Sequence, residues 1–388
     1  MRTDRRRIAV ALAGFSAFVN LYAPQALLPS LAREFGTSAA DTSMTITAST
    51  LAVALIAPFT GAVADVLGRK RVIVTAMFAL IVPTVMVAFS PTIHALIFWR
   101  FVQGLTLPPI FAVTVAYVGE EWPPAQAIAV TGIYTSAAGL GGFAGRFLAG
   151  VVADLSNWHL AFLSLAVLTL VLAVGVTTLL PTERHFVRSK SFLASGRQML
   201  RHLGNRQLVA TYAVGFGVLF CFIGTFTYVN FHLAAPPFRL SATWLGAIFV
   251  VYLTGSAITP LTGRAVARFG RRRLVGGTIA IWICGLLVTL APSLPAIVLG
   301  LAVTAGCGFL CQAVSTGFVA MTAQEGHSSA VGLYVTWYYV GGSFGAVLPG
   351  LAWNAFGWPG CVATVVLTLI LMGLIVWQLW TTPVVKPP

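Results

Sequence analysis

The chain has 388 residues, of which 58% are hydrophobic and 8% charged, with a formal net charge of +14. With a mean hydropathy of +0.91, it has too little polar surface to cover a water-soluble globule of this length, which excludes a soluble enzyme or a soluble basic domain. What remains is an all-α integral membrane protein.

Apolar runs of roughly 18 to 25 residues, the length that a bilayer core demands, predict twelve transmembrane helices. In chain order they are 8–29, 43–64, 72–90, 94–118, 127–152, 159–181, 208–232, 242–266, 274–292, 295–318, 329–353 and 359–381. The opening "MRTDRRRIAVALAGFSAFVNLYAPQALL" has the basic start of a signal peptide. Its apolar run is too long, lacks a small-residue cleavage pattern and leads into further spans, so an uncleaved first helix is expected. With the N-terminus inside, all but four of the 23 Lys and Arg residues fall at cytoplasmic ends or loops, which is the positive-inside rule. The four are Arg33 and Arg239 on the outer side and Arg100 and Arg146 within spans. The basic clusters are short and carry no interleaved aromatic platform, so no nucleic-acid partner is expected. Among the five cysteines, Cys307 and Cys311 lie one helical turn apart. No His or carboxylate joins them to complete a metal shell, and neither a metal nor a disulfide is expected.

The charged interval "PTERHFVRSKSFLASGRQMLRHLGNRQ" divides the chain six spans to six. The expected organisation is an N-terminal six-helix bundle over 1–181, a cytoplasmic linker over 182–207 and a C-terminal six-helix bundle over 208–388. The halves repeat: "GAVADVLGRKRV" (61–72) lies on "GRAVARFGRRRL" (263–274), and Gly141, Gly145, Gly150 and Trp158 meet Gly341, Gly345, Gly350 and Trp358 at a shift of 200. Two pseudo-symmetric bundles with a site near their interface are a transporter architecture. The six glycines are candidate interface residues because glycine admits close backbone approach.

The residues Gly61-Ala-Val-Ala-Asp65-Val-Leu-Gly68-Arg69-Lys70-Arg71, between spans two and three, match the signature of the major facilitator superfamily, which the whole chain resembles. "NLYAPQALLPSLAREFG" and "AAPPFRLSATWLGAIFVVYLTGS" look like its YnfM-type branch, near bacterial drug and metabolite exporters. The resemblance implies a conformational latch at Gly61, Asp65, Gly68, Arg69 and Arg71, with Asp65 engaging the start of span eleven after "GHSS" in one transport state. Physically, a carboxylate suits the free N–H groups and positive dipole end of a helix N-terminus. Arg69 is within reach of Glu120 or Glu121, and the second-half counterpart of Asp65 is Ala267. "FWRFVQG" in span four, with Arg100 and Gln103, is similar to the family motif whose arginine is implicated in proton coupling. In span five, Gly141, Gly145, Ala149 and Gly150 align with the family's antiporter motif, but Arg146 occupies the motif's proline position. An embedded arginine needs a partner or water. Arg100 and Arg146 both lie about six residues, roughly 9 Å, from the outer ends of their spans, and are candidates for coupling or for an anionic group of the substrate.

None of the nine acids falls in the middle of a span. Where many drug/proton antiporters of the family titrate a carboxylate in the first span, this chain offers Asn20, Tyr22 and Gln25. His232 is the embedded group whose side chain titrates nearest physiological pH. Phe18, Tyr22 and Gln25 share a face of span one, Phe222, Phe226 and Asn230 a face of span seven, and Trp337 and Tyr338 crowd span eleven. These are candidate cavity residues and suggest a flat or amphipathic small molecule.

The expected function is secondary active transport by alternating access: gradient-driven export of small amphipathic or aromatic compounds by a monomer in the bacterial inner membrane, both termini cytoplasmic. No Walker A sequence is present and no cofactor is expected beyond a proton or other ion gradient. The alternative is a permease or symporter for organic anions using the embedded arginines, and a non-transporting membrane receptor is the weaker third. No catalytic Ser/His/Asp set or metal-spaced His/Glu set appears inside the spans, so no enzyme is expected.

Overall fold

A computed structural model describes residues 2–183, 201–322 and 327–380, and its regular elements are helices. Ten helices among the described residues are long and apolar enough to cross a bilayer. One of these, Ser329–Leu379, counts 51 residues, and at about 1.5 Å per residue it would exceed twice the thickness of a hydrocarbon core. It breaks at Gly357, whose φ of 61° lies in the left-handed region, and therefore contains two spans. A further helix, Arg271–Val288, has 18 residues and starts with three arginines. Together they make twelve spans. Phe98, Val171, Leu299 and Phe356 lie exposed along them, which suits a surface facing lipid rather than water.

Local chemistry sets the helix ends. Ser38, Thr92 and Asn157 each accept a hydrogen bond from the N–H three residues on, at 3.1, 3.2 and 2.9 Å, satisfying donors that a helix start leaves open. Gly68 and Gly270 both take positive φ, 94° and 74°. Each ends one helix and starts the next: the Gly68 N–H donates to Ala64 O at 3.0 Å, and the Gly270 N–H to Val266 O at 2.9 Å. The sequence repeat is thus also a repeat of backbone geometry, since 68 and 270 are matched positions.

Contacts gather the described residues into two compact units, those within 1–190 and 226–250, and those within 191–225 and 251–388. In the first, span one (Arg5–Phe35) packs on span five (Gln126–Leu155). Span two (Ala39–Leu67) packs on span four (Ile93–Glu121), and span three (Arg69–Ala88) on spans four and six (Trp158–Leu179). Ala242–Ala247, the start of span eight, packs on span five in this same unit. Val19, Leu27, Leu96, Trp158, Phe162 and Ala242 are among its core residues. In the second unit, Arg271–Val288 (span nine) and Tyr252–Ile258 (part of span eight) each pack on span ten, Leu294–Thr322. Spans seven and eight divide between the units after Thr225 and after Val250, the latter within a 3-10 turn, Ile248–Val251.

The glycine pairs show why some helices approach so closely. A Cβ added at Gly145 would lie 2.8 Å from the Val19 carbonyl carbon in span one, and one at Gly345 would lie 2.9 Å from that of Phe220 in span seven. Gly141 stands likewise against Phe15, and Gly341 against Phe216. Spans one and five in the first unit, and seven and eleven in the second, therefore meet backbone to backbone through matched glycines. Gly350 is buried, while Gly150 faces Ala242, the first residue of span eight.

Candidate functional site

Arg100 and Gln103 lie one helical turn apart in span four, and both are buried. Arg100 donates through Nη2 to Ser49 Oγ at 2.8 Å, through Nη1 to Asn20 O at 3.1 Å and through Nε to Thr45 O at 3.3 Å. It also donates to Leu21 O and to Gln103 Oε1. Gln103 in turn donates to Thr84 Oγ1 at 2.7 Å, and Asn20 donates to Thr169 Oγ1 at 2.8 Å. One polar layer thus ties spans one, two, three, four and six. Backbone carbonyls and neutral side chains accept the guanidinium's protons, which is how a charge becomes tolerable away from water.

Arg146 builds a second cluster. Its side chain is 1% exposed; Nε and Nη2 both donate to Gln25 Oε1, at 2.8 and 2.6 Å, and Nη1 donates to Gly142 O. The guanidinium carbon lies 4.2 Å from the Phe249 ring centroid and 4.9 Å from that of Tyr22, within range for cation–π attraction. Gln25 sits in the 3-10 turn Ala23–Leu27, where Pro24 interrupts the first span, and its amide donates onward to Thr227 Oγ1 at 3.0 Å. Phe226 stands 5.6 Å from Phe249. The cluster therefore joins spans one, five, seven and eight inside the first unit. Thr227 carries no motif in the sequence, and Phe249 is not singled out within the YnfM-like stretch that contains it; their contacts reveal both.

Just beyond Arg146, Asp154 accepts hydrogen bonds from the backbone N–H groups of Ala242 at 3.1 Å and Thr243 at 2.8 Å. Ser241, at the cap position of that helix, makes no side-chain cap bond. A carboxylate 88 residues earlier in the chain thus satisfies the donors that a helix start leaves open. Small residues permit the approach: Gly246 faces the Arg146 backbone and Gly150 that of Ala242. Gly150 and Asp154 share a helix face at a spacing of four, but nothing in the local sequence pattern shows which helix start lies against that face. Replacing Asp154 by Ala is expected to cost this segment about 1 kcal/mol. In deuterium exchange, the amides of Ala242–Ala247 should then exchange roughly fivefold faster than in wild type. Unchanged exchange would remove Asp154 from this role.

At the other end of span two, Asp65 pairs with Arg69 at 2.5 Å, and Arg69 also meets both oxygens of Glu120, at 2.6 and 3.1 Å. Arg69 donates further to Gly61 O at 3.3 Å. Glu121 instead pairs with Arg6 at 2.9 Å, and that arginine lies over Trp122. Gly68 and Arg71 flank a recess that Glu183 enters, accepting from the Lys70 N–H at 3.2 Å. Of the stretch "GHSS" offered to Asp65, Gly326 lies outside the described residues. The other candidates are scattered. Phe18 meets Phe111 at 5.9 Å, His232 lies beside Phe238 at 5.5 Å, and the Asn230 amide donates to Phe226 O at 2.6 Å in its own helix. Trp337 is exposed, and Tyr338 stacks on Tyr334 at 6.0 Å. Phe222 falls in the second unit, 5.4 Å from both Tyr252 and Phe309.

A sequence model of the Major Facilitator Superfamily matches residues 10–259 and 231–388. The MFS-type transporter YybF of Bacillus subtilis is 31% identical over 368 residues, covering 94% of this chain and 91% of that protein. The inner membrane transport protein YnfM of Escherichia coli is 31% identical over 375 residues, covering 95% and 89%. Among solved structures, a bacterial homologue of the human lysosomal transporter Spinster, inward-facing and unoccupied, superposes with a TM-score of 0.80 at 13% identity, covering 98% of this chain and 99% of that one. The repeated glycine turns and twelve spans agree with these matches, and the chain belongs to the Major Facilitator Superfamily of multi-pass secondary transporters, which are not enzymes.

Proposed function

We propose that the protein exports small amphipathic or aromatic compounds across the bacterial inner membrane, driven by a proton or other ion gradient, with both termini in the cytoplasm. The observation that carries this reading is the aromatic group of the second unit. Phe222, Tyr252 and Phe309 stand mutually 5.4 to 5.7 Å apart; Phe222 is buried, while Tyr252 and Phe309 are half-buried. Half-buried aromatic rings offer a flat molecule apolar contact at little conformational cost. The similarity to YnfM, an inner membrane transport protein of Escherichia coli, supports the location. A thermal-shift screen of purified protein with aromatic neutrals, lipophilic cations, aromatic acids, sugars and other polyols, followed by uptake of the hits into everted vesicles, tests the reading. Hits confined to sugars or other polyols would overturn it.

The rival reading, organic anions, is favoured by the Arg146 cluster, where two rings and Gln25 hold a planar guanidinium in place. Such a group binds carboxylates through two bonds and stays charged at any physiological pH. The same screen separates the readings by whether acids or cations stabilise the protein.

Alternating access needs elements whose contacts differ between states. We assign two carboxylates to that task, Asp65 at the end of span two and Asp154 at the end of span five. The Asp65→Asn variant should assemble at near-normal levels yet lose most of its transport, roughly tenfold, because the charge biases an equilibrium of about 1.4 kcal/mol rather than filling a core. Transport at the wild-type rate would exclude the latch. Ala267→Gly, at the matched position of the second half, should matter less.

A further inference from the structure

The two halves treat one matched arginine differently. Arg69 meets two protein carboxylates, Asp65 and Glu120. At the shift of 202 that aligns the repeat, Arg69 falls on Arg271, Asp65 on Ala267 and Glu120 on Thr322, so neither acid has a counterpart. None of the three ion pairs among the described residues involves Arg271 or Arg272.

Aromatic rings hold these two arginines instead. The Arg271 guanidinium carbon lies 4.2 Å from the Phe318 ring centroid, and that of Arg272 lies 4.0 Å from Trp377. Phe318 also meets Trp380 at 5.0 Å, so spans nine, ten and twelve converge on one aromatic cluster inside the second unit. Each guanidinium thus lies against one aromatic ring. Arg271 Nη1, Arg272 Nε and the indole Nε1 of Trp380 are buried and make no hydrogen bond to any of the described residues. Trp380 is 3% exposed, whereas Trp377, against the neighbouring arginine, is 61% exposed.

Buried donors without an acceptor are costly, above all where hydrocarbon replaces water. Here Arg271 and Trp380 both meet the Phe318 ring, and Arg272 is the next residue at the start of an 18-residue helix, whose opening N–H groups and positive dipole end favour an anion. We propose that Arg271, Arg272 and Trp380 form a site for the phosphate of an anionic phospholipid headgroup. Guanidinium edges match phosphate oxygens in paired bonds. The exposed tryptophan places the group at the lipid-facing edge, where indoles concentrate at the bilayer interface. The side that the arginine tally assigns to the cytoplasm is also where anionic headgroups draw clustered basic residues. The site shares no residue with the Arg146 cluster or with the Phe222 group.

The test uses the full chain, purified in detergent, with phosphatidylglycerol, phosphatidylethanolamine or inorganic phosphate added. Thermal stability is read by melting, and lipid retention by native mass spectrometry. Phosphatidylglycerol should raise the Tm of the wild type by several degrees more than phosphatidylethanolamine, and inorganic phosphate should do neither. Arg271→Gln/Arg272→Gln should abolish the difference. Trp380→Phe, which keeps both charges and an aromatic ring, should at least halve phosphatidylglycerol retention and serves alone if the double variant does not fold. Arg264→Gln/Arg268→Gln removes the same charge from exposed positions near the cluster and should change nothing. A wild type indifferent to lipid charge, a preference kept by both site variants, or an equal loss in the control pair overturns the proposal. Inorganic phosphate stabilising as well as phosphatidylglycerol would make the ligand a free anion and overturn the lipid assignment.

Discussion

Replacing Arg100 with leucine is expected to be the most damaging single change in the first unit. The side chain is buried and donates to three backbone carbonyls, a serine hydroxyl and a glutamine amide. Its removal takes a donor from acceptors of spans one, two and four, at about 1 to 3 kcal/mol for each group left unpaired where water cannot reach. Partial relaxation reduces the sum, and about 3 to 5 kcal/mol is expected overall, comparable to breaking a buried charge network. Most of the protein should then appear as aggregate in size-exclusion chromatography after detergent extraction. Arg100→Lys keeps the charge but not the planar fork, so it should fold with a Tm lowered by several degrees. A leucine variant that melts within a degree of wild type would show that the polar layer contributes nothing to assembly. Gln103→Leu makes a milder comparison, because it removes one acceptor from Arg100 and one donor to Thr84 while the carbonyl contacts persist.

The twelve spans could be read from the sequence because hydropathy and length are local properties, and the glycine turns could be read because the repeat places Gly68 on Gly270. Arg100 was visible as an embedded charge, but its partners were not: three of them are backbone carbonyls, which any residue type supplies. Phe249 meets Arg146 from a different half of the sequence, and no periodicity within span eight singles it out from other aromatic residues. The division of spans seven and eight between units falls inside continuous apolar runs, where composition does not change and only packing marks a boundary. Asp154 shows the same limit in a charged residue. Its chemistry was evident, but the helix start it caps lies in another half, and proximity across the fold is not written in the local pattern.

Arg146→Lys and Arg146→Ala are expected to separate the roles open to this residue. In the structure the guanidinium makes two bonds to one amide oxygen of Gln25 and lies near two rings. An ammonium reproduces the charge without that paired geometry. If Arg146 binds an anionic group of the substrate, lysine should weaken binding of aromatic acids by about tenfold, or about 1.4 kcal/mol, and alanine by more. Both variants should remain folded, because the glycine contacts of span five stay in place. If Arg146 instead serves only to hold spans one, five, seven and eight together, ligand affinity should hardly change, while both variants lower the Tm and hasten exchange of the Ala242–Ala247 amides. Gln25→Ala provides the decisive comparison, since it removes the amide that orients the guanidinium and also the link to Thr227. An anion site predicts that Gln25→Ala keeps measurable acid binding, because the positive charge remains. A purely structural tie predicts that it copies Arg146→Ala in stability and exchange, with acids no more stabilising than neutral aromatic compounds in any variant. That second pattern, measured by titration and exchange on the same preparations, would leave amphipathic export as the surviving reading and make the arginine in the proline position a means of closing helices together.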